Sequence, residues 1–341
     1  NTKIAQGNTD TNRIGDFFYA PPTDFLALCT DNLPDPGIDP NEGDDPAHYF
    51  NTVLYTDQTS VTGVGFAPDW VWHKSRNATY PHYSSDAGLS QTQAVGWFWK
   101  AGGTAVSNGN GSITSSVSAS PESGFSIVTY TGTGTNGDTV GHGLNSAPKM
   151  IFIKSRVDTS GDGNWLVYAK TGITDETDYF LLNSTVEATD AVGAFNDTAA
   201  TSTVFSLGTF PDLNQGTKTY VAYCFAPVDG FSKISNYQGN NLADGTYVYT
   251  GFRPAWILIK RKDSSTGSRW AIFDNKRDVD NPINHTLIAD DLLVEDTSTV
   301  RLDILSNGFK VRQSGTTINT TDGEYIYMAF ADQPFKYANA R

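Results

Sequence analysis

Four tryptophans sit close together in this chain, Trp70, Trp72, Trp97 and Trp99, as two Trp-x-Trp pairs. Exposed indole faces hold sugars: the C–H face of a pyranose packs on the ring, and nearby amides take its hydroxyls. The competing reading is core packing, because the later residues that correspond to these positions, Met150, Phe152, Tyr223 and Phe225, are plainly core-like. Core packing is the first expectation for the four. The alternative is a sticky patch for a glycan or a partner chain, uncovered where the surrounding sequence is shortened.

The other residue types capable of chemistry are scattered. His48, His73, His82, His142 and His285 show no pair at metal-ligand spacing on one element. His73 stands where other copies of the motif carry Ile153 and Ile259, which reads as a substitution on a half-exposed strand; His142 reads as a turn residue. A glycosidase needs two carboxyl groups facing each other across a cleft. The acids here fall almost all in Gly/Ser/Asn loops, and Asp290, Asp291, Glu295 and Asp296 read as a solvated acidic loop, with a weak cation site as the alternative. Asp158–Asn164 is rich in Asp and Gly but lacks the alternation and final glutamate of a calcium loop. There is no nucleophile elbow, P-loop or dinucleotide fingerprint. No catalytic residue, metal ligand set or cofactor site is expected, and the chain is not expected to be an enzyme. Two cysteines, Cys29 and Cys224, are too few for a disulfide scaffold, and Cys224 reads as a small buried hydrophobe.

The elements that would carry these residues repeat. Gly124-Phe-Ser recurs as Gly230-Phe-Ser, Pro148 with Met150-Ile-Phe-Ile-Lys154 as Pro254 with Trp256-Ile-Leu-Ile-Lys260, Trp165-Leu-Val-Tyr168 as Trp270-Ala-Ile-Phe273, and Tyr220-Val-Ala-Tyr-Cys-Phe225 as Tyr325-Ile-Tyr-Met-Ala-Phe330, always about 105 residues on. The shared positions are apolar or turn residues, so the chain repeats a fold and not an active site. Apolar runs of four to eight residues between Gly, Asn, Asp and Ser clusters predict antiparallel strands. The strand after each proline is apolar on both parities and should be central, with Lys154 and Lys260 reaching water at its end. The fold class expected is all-β: tandem antiparallel β-sandwich repeats after a truncated β unit and an N-terminal arm. The divisions are 1–44, a Pro-rich arm; 45–123, a truncated first repeat that has lost its middle and must lean on a neighbour, with a connector from 101 that holds at most one irregular strand; 124–229, the second repeat; and 230–341, the third repeat and a tail. Leu287–Glu295 is the only weak helical candidate.

A net charge of −14 opposes nucleic acid and anionic lipid, and no stretch of about 18 apolar residues suits a membrane span. Neither partner is expected.

Several phrases resemble a family of tailed-bacteriophage virion proteins: Val61-Thr-Gly-Val-Gly-Phe-Ala-Pro-Asp-Trp-Val-Trp72, Trp99-Lys-Ala-Gly-Gly-Thr-Ala-Val-Ser-Asn108, Gly124-Phe-Ser-Ile-Val-Thr-Tyr-Thr-Gly132, Thr219-Tyr-Val-Ala-Tyr-Cys-Phe-Ala226, Tyr249-Thr-Gly-Phe-Arg-Pro-Ala-Trp256 and the ending from Met328 to Arg341. Gly15–Pro34 is similar to the end of a SPRY-like lectin domain. The resemblance implies a tail fibre or similar appendage at the virion surface, a homotrimer that contacts other virion proteins and adheres to host-surface glycan. It transfers no catalytic residue. A capsid decoration or tail-structural protein with only protein partners, a polysaccharide depolymerase and a non-viral secreted adhesin are the competing expectations.

Overall fold

The computed structural model describes residues 4–56, 60–82, 93–157, 163–170 and 178–338. Asp158–Asn164 lies mostly outside them. The regular secondary structure of the described chain is almost all antiparallel β-sheet; besides three short 3-10 turns its only helical piece is the single turn α1, Pro211–Asn214.

The first unit is one sheet of three strands, β1 (Phe50–Tyr55), β2 (Trp70–Ser75) and β3 (Ala94–Trp99), in the order β1-β3-β2. Next come β4 (Val106–Asn108) and β5 (Ser115–Ser120). They are regular strands that join the edge of the second unit's sheet, where β5 pairs with β6 (Phe125–Thr131). The connector expectation missed them because β5 is Ser-Ser-Val-Ser-Ala-Ser, with too little apolar signal to advertise a strand, although Ser115, Val117 and Ser118 are buried.

The second unit continues with β7 (Asp138–Gly141), β8 (Met150–Ser155), β9 (Trp165–Ala169), β10 (Asp178–Leu181), β11 (Thr189–Asp190), β12 (Val204–Leu207) and β13 (Thr219–Phe225). Its main sheet runs β11-β10-β9-β8-β13-β6-β5-β4, and β7 and β12 form a second, two-stranded sheet. The third unit has β14 (Ser232–Gln238), β15 (Tyr247–Tyr249), β16 (Phe252–Arg261), β17 (Trp270–Asp274), β18 (Leu287–Ile288), β19 (Leu302–Leu305), β20 (Gly308–Val311) and β21 (Glu324–Pro334), in sheets β14-β21-β16-β17-β18 and β15-β20-β19. Within the main sheets, β6-β13-β8-β9-β10 and β14-β21-β16-β17-β18 have the same order, and β1-β3-β2 has its first three places. β8 and β16 lie inside their sheets and are buried on both faces. Pro254 falls inside β16, and the register against β21 shifts on either side of it, which accommodates the missing N–H.

The same polar latch closes the second and third units. Tyr130 stacks on Tyr220 at 5.3 Å, and Tyr237 on Tyr325 at 5.0 Å. Tyr130 donates to Leu213 O and Tyr237 to Ile318 O; Tyr220 accepts from Gln215 N–H and donates to Pro211 O, as Tyr325 accepts from Thr320 N–H and donates to Thr316 O. Asn214 and Asn319, both fully buried, accept backbone N–H groups (Thr133 and Gly134 on Asn214, Asn240 on Asn319) and donate to backbone carbonyls across the loop. The recurrent glycine also has a cause. Gly124 (φ +67°) and Gly230 (φ +73°) are left-handed, and a Cβ on Gly124 would stand 1.9 Å from Ala226 O.

The three main sheets face one another around a continuous hydrophobic core that runs from Ile38 to Ala331. Phe330 stands 5.8 Å from Trp99 and 6.0 Å from Phe225, the residues at matching register positions of the other two sheets. Trp70 stacks on Tyr223 of the second unit at 4.4 Å, and Trp99 meets Trp256 of the third at 5.6 Å. The short first sheet is thus covered by both of its successors.

The arm is ordered as well. Asp10 accepts hydrogen bonds from the N–H groups of Asn12, Ile14 and Ala27 and from the Asn32 side chain, which hold its carboxyl below the usual range. Ile38 is fully buried, Gly37 donates to Asp229 O, and Lys336 pairs with Asp35 at 2.6 Å. Leu287–Glu295 is not helical: Leu287 and Ile288 pair with β17, and the rest is loop.

Candidate functional site

β2 ends its sheet, whereas β8 and β16 each add a further strand, β9 or β17, on that side. A cleft of about 230 Å³ opens there, with one wall from each unit. Trp70, Trp72, Pro81 and His82 come from the first unit, Trp165, Leu182 and Asn183 from the second, and Ala289–Leu292 from the third. The volume is enough for one sugar-sized ring rather than a drug-sized ligand.

Most of the walls are apolar faces held by packing. Trp72 donates its indole N–H to His82 Nδ1 at 2.9 Å, and His82 Nε2 meets Ile288 O at 2.8 Å. Nδ1 is therefore the unprotonated nitrogen, and Nε2–H donates. Burial holds the His82 pKa down to about 3, so the ring is neutral. Trp165 is half-buried, stacked 6.1 Å from Tyr223, on which Trp70 also stacks at 4.4 Å. Asn183 fixes the Trp165 backbone by accepting its N–H at 2.9 Å.

The polar wall is compensated from within. Asp290 accepts the Trp270 N–H at 2.7 Å and lies 3.4 Å from Arg269 Nη1, which also binds Asp291. Burial raises the Asp290 pKa, while Arg269 and the N–H groups of Leu292 and Leu293 hold that of Asp291 low against its own burial. Behind the wall Lys74 donates to Leu292 O at 3.1 Å, and burial lowers its pKa to about 8. Both carboxylates stand on one wall and share one arginine, which differs from the opposed pair of a glycosidase.

The four nominated tryptophans gather in one cluster but do not share one fate. Trp97 and Trp99 are sealed in the core, where Trp97 donates to Asp274 Oδ2 at 3.1 Å. Trp70 and Trp72 reach the cleft with one edge. Trp165 was not singled out; the signal for it was the absence in the first unit of a counterpart to the β9 segment, which leaves Trp165 open where Trp270 is closed.

Several expectations need correcting. The acidic loop is solvated only in part: Asp296 stays exposed, but Asp290 is buried and Glu295 is buried between Arg76 (2.7 Å) and Arg277 (3.0 Å), which also holds Asp274 at 2.6 Å. The arginines that pair with Glu295 follow directly after β2 and shortly after β17, and the first is too distant in sequence to be foreseen. His73 is buried and bonded to the Tyr55 hydroxyl, and His142 is buried with Nε2 on Thr201 O. Lys260 does not reach water; it is 0 % exposed and donates to Ser268 O and Ser184 O, because the second unit covers the strand end. Cys224, by contrast, is fully buried as expected, and burial raises its pKa to about 12. No cluster of three or more potential metal ligands occurs among the described residues.

Fold and cleft together define an all-β, sandwich-like protein with an aromatic cleft where three sheets meet. The chain belongs to a family described as a domain of unknown function (DUF7483), whose model matches residues 45–88 and 83–334. No curated protein and no solved structure matches it.

Proposed function

We propose that this chain is an adhesive module of a virion appendage, a tail fibre or similar structure, which holds host-envelope glycan in the cleft between Trp72 and Trp165. The observation that carries the reading is the half-buried Trp165 lining, together with Trp70 and Trp72, a cleft of about 230 Å³, the size of one sugar ring. Such a site is shallow and weak alone, so display as a homotrimer multiplies it. The resemblance to phage virion proteins supplies the location. A glycan array probed with the purified protein and with Trp165→Ala tests it: array signals that vanish in the variant support the reading, and a panel of host polysaccharides with no signal, or signals unchanged in Trp165→Ala, rejects it.

The arm favours a second role, docking to other virion proteins. Tyr19, Phe25, Leu26 and Leu28 expose large apolar surface within ten residues. Pull-down of virion components by the full chain but not by a Phe25→Ser, Leu28→Ser variant is the expected result, and equal capture by both rejects it.

A further inference from the structure

The charges around the cleft cancel in pairs. The cations are Lys74, on β2, and Arg269, just before β17; the carboxylates are Asp290 and Asp291, on the loop after β18. His82 adds none, because its Nδ1 accepts the Trp72 indole proton and its Nε2 proton is committed to Ile288 O. The Lys74 ammonium faces Leu292 O and the Asp291 charge, not the cavity. Arg269 is paired with both aspartates and is not among the residues that line the cleft. What the described residues of the cleft offer a ligand is therefore indole surface from Trp70, Trp72 and Trp165, the Asn183 amide and carboxylate oxygens: apolar surface plus polar groups, with no free cation among the described lining residues.

We infer that the cleft selects an uncharged, hydroxyl-bearing saccharide ring and turns away its carboxylated counterpart. This rests on the glycan reading above and names the ligand class for it. A neutral pyranose lays its C–H face on indole and gives hydroxyl protons to the lone pairs of Asp291. A uronic acid brings a carboxylate that no cation meets, loses its hydration, and stands beside Asp291 of like charge. Neutral binding also involves no net ion pairing, so salt has little to screen.

The test is calorimetric titration of the full chain with a neutral oligosaccharide and with the matched oligosaccharide carrying uronic acid in place of one hexose, each at low and high sodium chloride. The expected result is neutral binding that changes less than about twofold with salt, and acidic binding weaker by about tenfold or more. Acidic binding as tight as neutral, or neutral binding that collapses with salt, overturns the inference while leaving the glycan reading intact. Silence from every oligosaccharide, neutral or acidic, rejects the glycan reading and the inference together. Asp291→Asn supplies the second arm. It releases part of Arg269, whose side chain is 37 % exposed, and should narrow the preference for the neutral ring at least about threefold. Discrimination unchanged in that variant overturns the role given to the compensated wall.

Discussion

Trp97 donates its indole N–H to Asp274 at 3.1 Å, and so ties the short first sheet to the third unit from inside the core. Asp274 also holds the buried Arg277 at 2.6 Å, and Arg277 lies over the Trp97 ring at 5.8 Å. Removing Asp274 leaves the buried Arg277 with Glu295 and the Ile272 carbonyl but without its closest carboxylate. Asp274→Ala should cost about 3–5 kcal/mol of stability, and Trp97→Phe, which removes the indole N–H contact and leaves a small cavity, about 2 kcal/mol. Urea unfolding of both variants checks this; equal costs would mean that the ion pair does not matter.

The two polar latches should behave alike. Asn214→Ala and Asn319→Ala each leave backbone groups unpaired in a closed loop, so each should cost about 1–3 kcal/mol. They sit in different units, so the double variant should lose about the sum. Thermal unfolding of the three variants measures it, and a large loss from one with none from the other would contradict the equivalence of the units.

Lys260 carries a pH signature. Burial lowers its pKa to about 8, from an ordinary value near 10.5. Between those two values the unfolded chain binds more protons than the folded one, so this group makes stability rise with pH across that window. Lys260→Met should remove about 1–3 kcal/mol of that rise. Stability of the two proteins at pH 7.5 and pH 10 gives the difference, and parallel behaviour would contradict a buried, destabilised ammonium.

His82 acts in the acid range. Its folded pKa lies near 3 and its ordinary value near 6.5, so stability falls as pH drops below 6.5 and the unfolded chain takes up the proton first. His82→Gln should soften the acid loss between pH 6.5 and pH 4. Melting temperature against pH reads it; an unaltered acid slope would mean that the ring is not held neutral in the fold.

Much of the fold was legible in the sequence because its signals are local. Apolar runs after Pro148 and Pro254 marked the central strands, and glycines 124 and 230 marked turns that only a left-handed residue fits. The serine-rich β5 was not legible, since its partners supply the burial that its own side chains do not announce. The charges were misread for a related reason. Lys260 and Glu295 look like surface residues along the chain, and they are buried only because other units close over them. The cleft is a product of that closure. Trp70 and Trp72 could be nominated from composition, but Trp165 and Asp290 enter the site from segments about 100 and 200 residues away, a placement that no local pattern encodes.

The glycan account meets its most direct test in a crystal structure of the chain soaked with a neutral oligosaccharide. The account predicts a single ring seated between Trp72 and Trp165 with a hydroxyl toward Asp291. A saccharide bound elsewhere with the cleft empty would contradict it.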